Sequence, residues 1–310
     1  MRIRSPSPRV RIVADVTVLT RSQWQGYAAR HRSRADALTA AHRDRRVAGR
    51  SHPVADFLFV YYNNSPARLR RWHPGPGVRL QDASDSQQAA WRHYRTDADG
   101  AVRLDVESFV AQRGSTVRFV RELMEATLSR PAFTGCFGLH EWAMVYRLDQ
   151  DEVRHDRWPL RLGSAGTDEV VEAHQIRCSH FDAFRFFTPE ASGRNALQPS
   201  RESQVAMEQP GCLHAGMDVY KWCFKLAPAV PGELTLDAFE LAADIRTLDM
   251  QASPYDLLDL GLEPIRIETP EGKRSYAEAQ RAFTARSNAL RRRLHDVCDS
   301  LLAGASRKTL

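Results

Sequence analysis

Glu233-Leu234-Thr235-Leu236-Asp237-Ala238-Phe239-Glu240-Leu241-Ala242-Ala243-Asp244-Ile245-Arg246-Thr247-Leu248-Asp249-Met250 contains neither Pro nor Gly and has a helical period. At about 100° per residue, Leu234, Ala238, Leu241, Ala242, Ile245 and Leu248 fall on one apolar stripe, the signature of a core-facing helix. Glu233, Asp237, Glu240 and Asp244 form a row beside that stripe. Four carboxylates in a row repel one another unless cations meet them. The row therefore faces water, or it faces a metal, the arginine-rich N-terminal segment or a substrate cation. Asp249 falls inside the apolar stripe and is the acid least explained by solvent exposure.

Working outward, residues 214–226 predict a second helix, set off by Pro228 and the Pro231-Gly232 turn. Residues 276–302 and 108–128 carry further helical patterns, the latter ending before Pro131. Thr20 and Ser22 can cap a helix through Trp24, Tyr27, Ala28, His31 and Ala35 that Gly49 closes. Residues 56–62 are too short to separate helix from strand, and residues 133–146 read as helical from Gly138. Strand patterns occur at 10–19, 102–106 after the Asp99-Gly100 turn, and 170–178; residues 150–166 suggest a surface hairpin. Residues 189–211, rich in Pro, Ser and Gly, read as a long loop able to act as a lid or boundary. The expected fold is α+β and mainly α, a helical body with a small β component and neither a Rossmann nor a TIM topology. One continuous domain over 1–310 is expected, with a basic portion at 1–80 and the helical body at 81–310.

The chain has 310 residues, 43% hydrophobic and 26% charged, the balance of an ordinary globular protein. No apolar run reaches the roughly 18 residues of a spanning helix, and the arginine-rich start lacks a secretory apolar stretch, so the expected location is cytoplasmic. Cys136, Cys178, Cys212, Cys223 and Cys298 are odd in number and form no Cys-x-x-Cys pair, which predicts buried reduced thiols. Charge is uneven: residues 1–80 hold sixteen Arg against Asp15, Asp36, Asp44 and Asp56, a local net of +12, leaving −6 on the remainder. Arginines engage phosphates bidentately, so this asymmetry predicts nucleic acid, DNA in particular, as partner.

Several groupings suit chemistry. Residues 61–75 interleave Tyr61, Tyr62 and Trp72 with Arg68, Arg70 and Arg71, a mixture that stacks an extruded base and holds its flanking phosphates. The same mixture also describes a buried aromatic cluster under a basic turn. His214 and Asp218 lie one helical turn apart, with Lys221 and Trp222 along that side. His140-Glu141 sits in an apolar run, and His180-x-Asp182 precedes an aromatic one. Burial of such pairs shifts pKa values toward neutrality and creates general acids and bases. No Gly-x-Gly-x-x-Gly after a strand, P-loop, Gly-x-Ser-x-Gly elbow, His-Glu-x-x-His or zinc-deaminase signature is present, which disfavours those enzyme classes.

The phrases His52 through Tyr62, Leu69 through Gly75, Phe137 through Tyr146, Met217 through Trp222, Phe239 through Arg246 and Ala252 through Asp256 resemble a bacterial family commonly labelled 3-methyladenine DNA glycosylase. The likeness extends over residues 20–302. It lacks the glycine-rich hairpin and following catalytic Asp of helix-hairpin-helix alkylpurine glycosylases. The resemblance implies release of an alkylated purine from DNA, with no cofactor. A 3-alkylated adenine is already cationic, so the enzyme mainly extrudes it and steadies an oxocarbenium-like sugar with a carboxylate. On that reading Tyr61, Tyr62, Trp72 or Trp142 stacks the base and Arg68, Arg70 and Arg71 hold phosphates. Asp218 or Glu141 faces the sugar, with His180 and Asp182 as further acid–base candidates.

A competing reading is a metal-dependent enzyme for a small or nucleoside-like molecule. Its ligands come from His140, His180, His214, Asp218, Glu240 and Asp244, which suit iron, manganese or zinc. In a third reading the basic segment binds nucleic acid without catalysis and the acidic row is only surface.

Overall fold

The computed structural model describes residues 16–306. Its helices of ten residues or more are α1 (Arg21–Val47), α2 (Val106–Ser129), α3 (Gly163–Glu172), α4 (Leu213–Lys225), α5 (Gly232–Gln251) and α6 (Pro270–Ser306). A small sheet, β1 (Thr17–Leu19), β2 (Val78–Leu80), β3 (Tyr94–Thr96) and β4 (Val102–Leu104), has the order β1-β2-β4-β3. β1 and β2 pair in parallel, and the β2–β4 and β3–β4 pairs are antiparallel. The protein is thus mainly helical with a minor sheet, the class its periodicities predict.

Local chemistry explains the elements. The Thr20 side chain accepts from the Gln23 N–H while Gln23 returns a bond to the Thr20 N–H, a capping box that starts α1. Ser65 caps the short Pro66–Leu69 helix, with Pro66 at its first position. Residues 56–62 resolve as a short helix, Phe57–Tyr61. The expected 10–19 strand is realised as Thr17–Leu19, and its residues 10–15 lie outside those described.

α4 packs on α5, both touch α6, and α6 lies along α2. The main core runs between these helices, with Phe109, Leu123, Trp142, Tyr146, Tyr220, Leu241, Ile245, Tyr276 and Leu294 all buried. A smaller core under the sheet joins Trp24, Ala28, Trp72, Leu80 and Val102, so α1 reaches both cores through Ala28 and Ala35. The acidic row of α5 meets arginines: Arg34 of α1 pairs with Asp237 at 2.8 Å and Glu240 at 2.6 Å, while Arg286 pairs with Asp244 at 2.7 Å. Glu233 accepts from Trp72 Nε1 at 2.9 Å.

Three local expectations are corrected. Residues 170–178 are not a strand. Val170 and Val171 end α3, where with Thr167 they form its buried face, and only Ile176 makes a bridge, to Asn195. Residues 150–166 form turns with a single bridge, Leu160 to Tyr255, rather than a hairpin, since α3 starts at Gly163. Residues 189–211 are a packed segment with two one-turn helices, Pro189–Ser192 and Gln204–Met207. The Asn195 amide there bonds the backbone of Cys178 on both sides, accepting from its N–H at 2.7 Å and donating to its carbonyl at 2.9 Å.

Candidate functional site

Two helices and three short segments converge on one place. Phe137 adopts φ +46° and Gly138 φ +72°, and this left-handed turn starts the short helix Leu139–Ala143, on which His140 and Glu141 are buried. α4 contributes His214, Asp218 and Lys221 at one-turn spacing, α5 contributes Arg246 and Asp249, and His180 immediately precedes the one-turn helix Phe181–Phe184. The 189–211 segment adds Glu208.

The first group is His140, Glu141, His214 and Asp249, whose ligating atoms all lie within 4.8 Å of one another. His140 Nε2 lies 3.0 Å from Asp249 Oδ1, and His214 Nε2 lies 3.9 Å from Asp249 Oδ2. Arg246 Nη1 donates to Glu141 at 3.1 Å and lies 3.5 Å from Asp249 Oδ2. Asp249 is fully buried, yet its Oδ2 has no hydrogen-bond partner. Such an orphaned carboxylate oxygen is costly and calls for an explanation.

The second group is His180, Glu208 and Asp218, also within 4.8 Å. Asp218 is satisfied on both sides. Its Oδ1 accepts from the Tyr62 hydroxyl at 2.9 Å, and its Oδ2 meets Lys221 Nζ and His180 Nε2, the latter at 3.2 Å. Glu208 Oε1 lies 3.7 Å from His180 Nε2, while His180 Nδ1 is buried without a partner. The His214 ring stands 4.4 Å from that of His140 and 5.4 Å from that of His180, so a row of three imidazoles joins the groups.

Electrostatics separates these side chains. Burial opposes charge on Asp218 and Asp249, but Lys221 and His180 around the first, and His140 and His214 around the second, hold both carboxyls well below their ordinary range. Burial also opposes the charge of His140, yet Asp249 outweighs it and raises its pKa. His214 goes the other way, pushed well below 6.5 by burial and by neighbouring His140. Burial raises Glu141 and Glu208 against the pull of Arg246 and His180.

A cavity of about 260 Å³ opens onto both groups, with Glu141, His180, His214 and Asp218 facing it and Phe57, Tyr61, Phe186 and Tyr255 forming apolar walls. Of the sequence candidates, Glu141, His180, Asp182, Asp218, Tyr61, Tyr62 and His214 line this cavity, and His140 lies directly behind it. The others are elsewhere. Trp142 is fully buried, donating Nε1 to the Ala252 carbonyl at 2.9 Å. Trp72, Arg70 and Arg71 line a separate groove of about 940 Å³ between α1 and residues 85–91, which shares no lining residue with the cavity. There Arg70 pairs with Asp36 at 2.9 Å and Arg71 lies over the Trp91 ring. Arg68 borders a third depression beside Phe224. Glu240 and Asp244 stay with Arg34 and Arg286 at the surface, away from the histidines.

Sequence reasoning did not assign Asp249, Arg246 or Glu208 to the site. Asp249 had a signal, a carboxylate inside an apolar stripe; Glu208, in a Pro- and Ser-rich stretch, had none. Compared with known protein families, curated proteins and solved structures, the chain matches none.

Proposed function

We propose that the protein is a metal-dependent enzyme acting on a small, nucleoside-like substrate, with His140, Glu141, His214 and Asp249 as ligands of one divalent ion. The observation that carries this reading is Oδ2 of fully buried Asp249, which has no hydrogen bond and is set among two imidazoles, a second carboxylate and the Arg246 guanidinium at 3.5 Å. A set of two His and two carboxylates suits iron, manganese or zinc. Such an ion supplies Lewis acidity toward an oxygen of the substrate or of water.

The second group handles protons. Lys221 and Tyr62 hold Asp218 as a carboxylate, and Asp218 in turn fixes His180 through Nε2. With that nitrogen committed, Nδ1 is the position of His180 able to accept a proton from a reacting group. Arg246 orients Glu141 toward the cavity. Glu240 and Asp244, ligand candidates by sequence, are not part of this set.

Alkylpurine release is the second reading. It is favoured by the near-parallel Phe57 and Tyr61 rings, 5.0 Å apart, beside Glu141 and Asp218 in a cavity of base-like size. Against it, Arg70 and Arg71 line the separate groove and Arg68 a third depression, so none of these arginines borders the cavity. Elemental analysis of the purified full chain, run beside a base-release assay on methylated duplex DNA, separates the two. The metal reading expects about one equivalent of iron, manganese or zinc, lost in Asp249→Asn, and no base release. Metal-free protein that liberates 3-methyladenine, with Asp218→Asn inactive, overturns it in favour of the glycosylase.

A further inference from the structure

The charges around the cavity are unequally matched. Glu141 is met by Arg246 at 3.1 Å, Asp182 by Lys221 at 3.0 Å and Arg185 at 3.3 Å, and Asp218 by Lys221 and His180. Glu152, at the exposed rim, accepts from the Asp149 N–H at 3.0 Å. One cation and one buried donor are left over. Arg154, also on the rim, makes no ion pair or hydrogen bond among the described residues, and its guanidinium lies 5.6 Å over the Phe186 ring. Arg246, which pairs through Nη1 with Glu141 and Asp249, is only 3% exposed, yet its Nε has no partner. Its guanidinium lies 4.0 Å over the Phe57 ring.

A buried guanidinium N–H without an acceptor, and a rim arginine already steadied on an aromatic ring, suit an anion that the protein itself does not supply. The walls add a shape requirement. Phe57 and Tyr61 stack within 10° of parallel, and Phe186 and Tyr255 complete an aromatic lining that accepts a flat ring.

We infer that the cavity takes a flat heteroaromatic ring carrying an anionic group, of the nucleoside monophosphate class, with the ring against Tyr61 and the anion at Arg154. This rests on the proposed catalytic reading of the same cavity. Glu141, His214 and Asp218 line the same cavity, and its 260 Å³ of space admits one such unit rather than a polymer.

Titration calorimetry on the full chain tests this with four probes: adenosine monophosphate, adenosine, ribose 5-phosphate and nicotinate, each with manganese present and again after chelation. Adenosine monophosphate is expected to bind about tenfold or more tighter than the other three, the increment of a charge-assisted contact added to ring stacking. Arg154→Ala should bring its affinity down to that of adenosine while leaving adenosine unchanged, and Phe186→Ala should weaken both. Adenosine binding as tightly as its monophosphate, nicotinate binding more tightly, no binding by any probe, or indifference to Arg154→Ala overturns the inference. A monophosphate preference that persists in protein unable to bind manganese leaves this inference standing and removes only the metal. Manganese binding without the preference does the reverse.

Discussion

Asp56 illustrates how one carboxylate ties distant segments together. It accepts from His42 Nδ1 at 2.8 Å, from Arg45 Nε at 3.1 Å and from the His52 N–H at 2.9 Å, and is 5% exposed. Burial alone would raise its pKa, but these partners bring it down to about 2. A carboxyl depressed in the folded state stabilises the fold above its unfolded pKa near 4 and loses that contribution as pH falls through about 2. Asp56→Asn is therefore expected to cost about 2 kcal/mol at neutral pH and to flatten the acid limb between about pH 4 and pH 2. Urea unfolding at a series of pH values reads both effects, and an unchanged acid limb contradicts the assignment. Among the site residues, Asp249 was legible because a charge inside an apolar stripe has few explanations other than a partner. Arg246, four positions from Ala242 on the same helix, had no such mark, since its role depends on Glu141, 105 residues away.

At the scale of elements, Gly211 governs where α4 begins. A Cβ on it would lie 2.4 Å from the Phe133 carbonyl oxygen, and its own carbonyl accepts from buried Gln280 at 2.6 Å. Backbone atoms cannot yield as a side-chain tip can, so Gly211→Ala must displace the segment leading into His214. The expected cost is about 1–3 kcal/mol, the range for overpacking a close contact. Thermal unfolding measures it, and if the proposed ion binds, its content should fall in the same variant because His214 moves with the helix. The helices themselves were readable because caps and periodicity act within a few residues: Thr20 and Gln23 start α1 without help from the rest of the chain. The 170–178 segment was not readable. Its β-branched Val170 and Val171 satisfy a strand pattern as well as a helix face, and tertiary burial decided between them. The 189–211 stretch looked like a loop because turn residues dominate it, yet buried Asn195 and Glu208 anchor it to the core.

For the whole molecule, the proposed ion links parts of the chain that are far apart in sequence, 139–143, α4 and α5, and so stabilises the fold when bound. A ligand present at 100 times its Kd adds about 2.7 kcal/mol, which for a chain of this size raises the melting temperature by roughly 4 °C. Chelation should lower the melting temperature by that amount and re-addition of manganese or zinc should restore it, with Asp249→Asn insensitive to either. Equal melting temperatures with and without chelator count against the metal. The charge asymmetry also has a whole-molecule outcome. Part of the N-terminal arginine excess is met by acids beyond residue 80: Arg34 by Asp237 and Glu240 of α5, Arg21 by Asp85, and Arg79 by Asp97 and Asp99.

The sequence by itself determined a mainly helical chain with a small β component, the positions of α1, α2, α4, α5 and α6, strands β1 and β4 but not β2 and β3, and the pool of His and carboxylate residues, because periodicity, capping and turn chemistry are local. Only the tertiary structure decided that the α5 acidic row meets arginines while Asp249 turns inward to His140 and His214. It likewise brought Glu208 out of a loop-like stretch to His180 and separated Arg70 and Arg71 from the cavity. Those outcomes depend on which helix faces meet across more than a hundred residues, a matter of packing in the core and not of any local pattern.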